Sequence, residues 1–415
     1  MQQQIKSSRW GANLAALATF VGIVAVIMVI AVLNAPTKGG PQVMASAQTY
    51  LAEVKKTALP FLGIMAVLSI ALGVVVARVV RRTWPNERKR KELFTAYAFI
   101  TPYLLVTLTF TIGVLLFSLW ISFTQYNIFT SPIWIGIQNY IDAFKGFVDP
   151  TQKAFIQSLY NVFWYSLIVV PIQTVLAILL AVLLNGPMRL RNFWRTIFYS
   201  PSVTSSVVIT LIFIWMYQQA GYINYLFAQV LGLIGVTWQP ISWLGDPRGL
   251  IELIVNAFGG TIQYTQWYFK GPSIAWMAIM FQNIYTTAPT FMIMFLAALQ
   301  DISPTLSEAA AIDGANSWQR FIHITIPMLR PIILLVVVLG TIGTLQVFDQ
   351  VYLATSGGPL GTSTTPVFLV YTTALGTTGP IEMGFASAMA FILAVIIFAF
   401  TFVQRRMLER GTELY

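Results

Sequence analysis

Cysteine is absent from the 415 residues, so disulfides and thiolate metal sites are excluded and the redox compartment leaves no trace. Histidine occurs once, at His323, which rules out a multi-histidine metal site or an HExxH helix; near the end of a short helix it reads as a surface or capping group. No Gly-Lys pair exists, let alone GxxxxGK followed by Ser or Thr, and the chain therefore has no P-loop to cradle a nucleotide. Charge is scarce: 9% of residues are Asp, Glu, Lys or Arg against 57% apolar, with a mean hydropathy of +0.74. That much apolar surface exceeds what one soluble core can bury, and the chain reads as a polytopic membrane protein.

Apolar runs able to cross about 30 Å of hydrocarbon at about 1.5 Å per residue recur eight times. They are roughly Leu14 to Leu33, Ala58 to Val80, Tyr97 to Phe123, Phe155 to Leu184, Thr196 to Tyr217, Ser273 to Gln300, Ile332 to Leu353 and Met383 to Val403. Arg78 and Asp349, each near the end of a run, are their ionisable exceptions. With the N-terminus cytoplasmic, seventeen of the 24 Lys and Arg fall on that side, among them Lys6, Arg9, the cluster from Arg78 to Lys91, Arg195, Arg320 and Arg405. This obeys the positive-inside bias and places both termini in the cytoplasm. Basic loops beside anionic lipid headgroups account for the net charge of +10, so no nucleic-acid partner is required. The first run is too long for a signal-peptide core, and the small residues Ala45, Ser46 and Ala47 lie well beyond it, which predicts an uncleaved anchor. The basic segment after the second run is a solvated stop-transfer linker or, alternatively, a docking surface.

Residues 301–327 form a polar interruption that carries helix punctuation. Ser303 before Pro304 predicts an N-cap with proline at the first helical position, a helix through Leu306, Ala309, Ala310 and Ile312, and a stop at Gly314. Asn316 with Gln319 predicts a capping box that opens a second short helix, ended by Pro327. The letters EAAAIDGA, followed by a segment ending in ITIP, resemble the EAA loop of ABC importer membrane subunits. Glu308, Ala309, Ala310, Asp313, Gly314, Ala315, Trp318, Phe321, Ile326 and Pro327 fall at that family's spacing. The chain is thereby similar to the sugar-type importer permeases, the family of the larger membrane subunit of maltose transporters, from about Leu93 to Arg410. TPYLL at 101–105, RNFWRTIFYSP at 191–201, Trp243 with Asp246 and Pro247, and Ser356 to Pro359 fit the same family pattern.

The resemblance implies an all-α fold of eight transmembrane helices. Residues 1–92 would be an N-terminal extension with two of them, and residues 93–410 a six-helix type I importer core. It implies that Glu308, Ala309, Ala310, Asp313, Gly314, Trp318, Phe321 and Pro327 couple the chain to ATPase subunits. It also implies a second permease subunit, two nucleotide-binding ATPase subunits that hold the ATP and Mg, an extracytoplasmic solute-binding protein, and a bacterial inner membrane. This chain itself would carry no cofactor, no metal and no catalytic residue. Two departures stand out: Tyr285 occupies a position where the family usually has tryptophan, and residues 250–272 are longer than the family pattern. That extra segment, GGTIQYTQWYFKG included, reads as an aromatic girdle at the outer interface or as a docking extension for the binding protein.

Within the spans, an ion-coupled carrier would be expected to bury acidic groups, and their scarcity counts against that class; a membrane scaffold without a transport path stays open. The polar groups that are present are neutral: hydroxyls at 202–206 after Pro201, Gln282, Asn283, Thr286, Thr287 and Thr290 around Pro289, and Thr341, Thr344, Gln346, Phe348 and Tyr352 on the seventh run. Neutral donors and acceptors among aromatic faces suit an uncharged polyol, although Ser and Thr equally bond helix to helix in membranes. The maltose-type members bind sugar at positions matching Ser202, Ser206, Thr286, Thr287, Thr290, Thr344 and Gln346, which the resemblance therefore offers as substrate-binding candidates.

Overall fold

The structure is a computed structural model that describes Arg78 and residues 107–149, 153–186, 189–262, 264–377 and 379–409. The first two expected spans, the anchor, most of the basic linker and TPYLL lie outside the described residues. The chain divides into two units, one of residues up to 139 with 373–388, the other of 140–372 with 389–415.

In the first unit a π-helical stretch, Thr107–Gly113, runs into α1, Val114–Ile121. A two-residue ladder follows, β1 Thr124–Gln125 antiparallel to β2 Ile133–Trp134, a small exception to the all-helical expectation. Asn139 closes this turn by donating from Nδ2 to the carbonyls of Ser122 and Thr124, both at 2.9 Å. Its helix α2, Gln138–Phe144, leads into the second unit.

The second unit is built around α3, Ala154–Asn185. Val162, Tyr165, Val169, Gln173, Ala177, Ala181 and Leu184 recur every three or four residues and are buried, while Phe163, Leu167, Val175, Leu179 and Leu183 are exposed. Both faces are apolar, as a helix solvated by lipid on one side requires. Against α3 pack α8, Ile274–Gln300, and α11, Ile326–Leu345. One core joins Ala181 and Leu184 to Phe295, Leu299, Leu329 and Val336; a second joins Tyr165 and Val169 to Trp276, Ile279, Leu345 and Val351. The Trp276 indole donates to the Asn161 carbonyl at 2.8 Å, and Ser273 caps α8 through the Trp276 amide at 3.1 Å.

Between α3 and α8 lie α4 Arg191–Val203, α5 Ser206–Met216, α6 Tyr222–Gly232 and α7 Leu250–Ala257. The stretch 196–217, expected as one span, is two helices meeting at 93°. After α8 come α9 Pro304–Ile312, α10 Ser317–Arg320, a π-helical stretch Phe321–Thr325, and α11; α12 Asp349–Ala354, α13 Pro366–Leu375 and α14 Met383–Glu409 are the last elements of the described residues. Among the described residues three helical stretches are long and apolar enough to cross a membrane, Ala154–Asn185, Ser317–Ala354 and Met383–Arg406, or five if each bent pair is one span.

Candidate functional site

α8 turns into α9 at 69°. Pro304 occupies the first turn of α9 as expected, but the Ser303 hydroxyl pairs with Thr305 Oγ1 at 2.8 Å rather than with the backbone. Gly314 ends the helix with φ +84°, and the Gly314 and Ala315 amides return to the carbonyls of Ala311 and Ala310 at 3.1 and 2.9 Å. That pair of bonds is a Schellman stop, which places a left-handed residue after the last helical one. The capping box forms as the letters predict, Gln319 N to Asn316 Oδ1 and Asn316 N to Gln319 Oε1, each 2.8 Å. Arg320 ties the two short helices together by donating to Ser307 Oγ at 3.1 Å and Ser317 Oγ at 3.2 Å.

Pro327 does not end the second helix. α10 passes through Phe321–Thr325 into α11 without a break, and Ile326 N bonds Phe321 O in the wider π pattern. The extra residue in that turn restarts the α register just before Pro327, which then sits in a first turn where its missing N–H is harmless. His323, exposed, meets the Gln319 carbonyl through Nδ1 at 2.9 Å.

This knob presents Glu308, Ala309, Asp313, Gly314 and Trp318 on its surface, with Ala310, Phe321 and Pro327 half-buried. Ile312 is 87% and Trp318 66% exposed, a large apolar offering outside any packed core. Among the described residues neither the Glu308 nor the Asp313 carboxylate has a side-chain partner. Phe321 packs beneath Trp318, ring centroids 5.7 Å apart, and reaches the core shared by α3, α8 and α11.

The neutral polar candidates separate into groups. Ser206, Thr286 and Thr287 belong to one hydrogen-bonded chain between α5 and α8. Thr210 Oγ1 donates to the Ser206 carbonyl at 2.7 Å, Gln282 Nε2 donates to Thr210 Oγ1 at 2.7 Å, and Thr286 Oγ1 donates to the Gln282 and Asn283 carbonyls at 3.2 and 3.0 Å. Thr287 Oγ1 lies 3.4 Å from Asn283 Oδ1. Ser202 stands at the end of α4 before the corner, its hydroxyl on the Tyr199 carbonyl at 2.7 Å. Thr290, one turn on from Thr286, is exposed and its hydroxyl has no partner among the described residues. Thr344 is buried and turned to its own helix, on the Thr341 carbonyl at 3.0 Å. Gln346 is exposed past the end of α11 and borders a separate cavity of about 400 Å³ with Val367, Val370 and Leu393. Phe348 and Tyr352, expected to continue the helix of Thr341, lie beyond a break at 346–348, on or beside α12. Thr210, not among the expected groups, is the centre of the chain; its spacing of four from Ser206 was the available signal.

The sequence matches the model of the family described as binding-protein-dependent transport system inner membrane component over residues 173–412, more than half of the chain. It is 33% identical over 317 residues to a probable ABC transporter permease, YesP, of Bacillus subtilis, covering 76% of this chain and 90% of that one. It is 29% identical to the trehalose/maltose transport system permease MalF of Thermococcus litoralis, over 77% of this chain and 95% of the relative. The lactose transport system permease LacF of Rhizobium radiobacter is 32% identical over 61% of this chain and 76% of its own. Among solved structures, a chain of a bacterial ABC transporter that imports the acidic polysaccharide alginate shares the fold at a TM-score of 0.60 and 22% identity, covering 78% of this chain and 98% of that one. The chain thus belongs to the binding-protein-dependent inner membrane component family and is a multi-pass permease subunit of an ABC importer.

Proposed function

We propose that the solute is a sugar or related polyol, delivered by an extracytoplasmic binding protein and moved by two ATPase subunits that hold the ATP and Mg, with a second permease beside this chain. The named relatives include permeases for lactose and for trehalose or maltose, and a related alginate importer has been seen with a pentasaccharide-bound periplasmic protein. Residues 1–92 form the two-helix extension and 93–410 the six-helix core, eight spans in all, with both termini cytoplasmic in a bacterial inner membrane. This chain contributes no catalytic residue.

The observation that carries this reading is the exposed knob at residues 301–327, a rigid two-helix corner whose Glu308 and Asp313 carboxylates lack side-chain partners among the described residues and whose Ile312 and Trp318 side chains are largely exposed. In this reading Glu308, Ala309, Ala310, Asp313, Gly314, Trp318, Phe321 and Pro327 seat in or brace the ATPase contact. Solute passes Ser202, Ser206, Thr286, Thr287 and Thr290 on α4, α5 and α8, with Thr344 and Gln346 beyond. The exposed Thr290 hydroxyl, beside a chain through Thr210 and Gln282 that carries no charge, supports an uncharged hydroxylated solute, whose water hydrogen bond exchanges for that of Thr290 at about 0.5–1.5 kcal/mol net.

The test is uptake of labelled mono- and disaccharides into proteoliposomes holding the assembled importer, with ATP inside and binding protein outside. Uptake of a neutral saccharide that needs both ATP and the binding protein is expected. Transport driven by an ion gradient without ATP, or of amino acids or peptides but no saccharide, overturns the reading.

A further inference from the structure

α11 stops at Leu345, and one threonine mends the break that follows. Thr365, buried, donates its hydroxyl to the Val347 carbonyl just past the helix end at 2.9 Å and accepts the Phe368 amide at 3.3 Å. The first bond satisfies a carbonyl that no helix takes up, and the second is an N-cap on α13. Together they hold the start of α13 beside the start of α12, where four rings meet. Phe348 stacks on Tyr352 at 5.5 Å; Tyr371 lies 5.1 Å from Phe348 and, edge-on, 5.5 Å from Tyr352. Phe368 closes the cluster from below, 6.5 Å from both Phe348 and Tyr352.

The cluster is buried on one side and open on the other. Phe368 is buried, whereas Tyr352 is 44% exposed. The three distances among Phe348, Tyr352 and Tyr371 put the first and last on the same side of the Tyr352 ring, which leaves its opposite face open. The Tyr352 and Tyr371 hydroxyls lie within hydrogen-bonding reach of one another. When one phenol donates to the other, the pair still keeps one O–H and several lone pairs.

Acyl chains are a poor cover for this face. The backbone at 346–348 is out of helix and the Gln346 side chain beside it is exposed, and facing hydrocarbon would strip both of hydrogen bonds. α12 packs on α5, the helix of Ser206 and Thr210. The rings therefore adjoin the neutral groups assigned to the solute path, at the end of α11 far from the knob.

We propose that Tyr352, braced by Phe348 and Tyr371, is an outer stacking subsite that takes the C–H face of a pyranose ring, while the spare phenol hydroxyl meets the ring's own hydroxyls. The subsite rests on the saccharide reading above and adds where that saccharide is held once it leaves the binding protein. A pyranose offers an apolar face and a polar edge together, as this pair of phenols does. Rings already locked by their neighbours lose little freedom on binding.

Proteoliposomes holding the assembled importer, with ATP inside and binding protein outside, test this with labelled glucose, trehalose, maltose and lactose. The measured quantity is saccharide taken up per ATP hydrolysed, since a ring with no subsite to receive it escapes while the cycle still turns. Tyr352→Leu should lower that ratio about 5-fold, the worth of one ring contact. Tyr352→Phe, which keeps the ring, should lower it less than about 2-fold. A wild-type ratio in Tyr352→Leu, or equal losses in the Leu and Phe variants, overturns the subsite and leaves the saccharide reading standing. Wild-type uptake of none of the four sugars, alongside ATP-driven uptake of an amino acid or peptide, overturns that reading and the subsite with it.

Discussion

A side chain at Gly314 would meet nothing within 4 Å, so the need for glycine there comes from the backbone alone, from φ +84°. A β-branched residue is strongly disfavoured in that region, where even an ordinary L-residue costs on the order of 1–2 kcal/mol. Gly314→Val should open the corner between the short helices and abolish ATP-driven uptake while the subunit still inserts; Gly314→Ala should do less. Glu308→Ala should weaken ATPase association without altering the corner. Wild-type uptake and wild-type ATPase pull-down in both Gly314→Val and Glu308→Ala would end the coupling assignment. Asp246 offers a pH test on the other proposed side. Burial opposes its ionisation, but hydrogen bonds and charge from Arg248, with Nη2 at 2.5 Å from Oδ2, outweigh that and hold its carboxyl below the usual range. A depressed folded pKa means that the pair's contribution is present above the ordinary carboxylate range and is lost as pH falls through the lowered value. The Arg248 amide, bonded to Asp246 Oδ1 at 3.0 Å, should therefore lose exchange protection on acidification, after correction for intrinsic rates. Asp246→Asn should remove that pH dependence, and a profile equal in both proteins would refute the link.

Helices met one another through small residues and one costly amide. A Cβ on Gly340 of α11 would come to 2.5 Å from Nε2 of Gln173, a fully buried side chain on α3 whose amide nitrogen and oxygen both lack partners among the described residues. Gln173→Leu should thus be neutral or stabilising, up to about 1–3 kcal/mol, whereas Gly340→Val should wedge α11 off α3. Thermal unfolding of the purified complex in detergent decides it: a lower midpoint for Gln173→Leu would mean that the amide has a partner the isolated chain lacks. Thr290→Val, by contrast, should leave the midpoint alone and reduce uptake about 2- to 10-fold, one hydrogen bond's worth. These elements were unequally legible. α3, α8 and α14 followed from long apolar runs whose ends are marked by Lys153, Ser273 and the terminal arginines. The corner inside 196–217 was not, because apolar residues continue through it and only Pro201 and the hydroxyls hinted at a break. What sets the bend is the amphipathic α4, polar at Arg191 and Arg195, and no periodicity count includes the surface it lies against. Pro327 misled for the opposite reason: a local rule about proline was overridden by one wider turn.

At the scale of the whole molecule, the chain purified alone should turn over no ATP, since no P-loop occurs in it; turnover that survives removal of contaminating ATPases would contradict the division of labour proposed above. The same division fixes where motion must be conveyed. From Ser317 through the π turn to Leu345 the backbone is one uninterrupted helix, carrying Trp318 at one end and Thr344 about 40 Å away at the other. Rotation imposed at the knob has to pass the π turn at 321–325 and Pro331 before it reaches the far end, so its loss is confined to that stretch and to the place where Gly340 bears closely on Gln173 of α3.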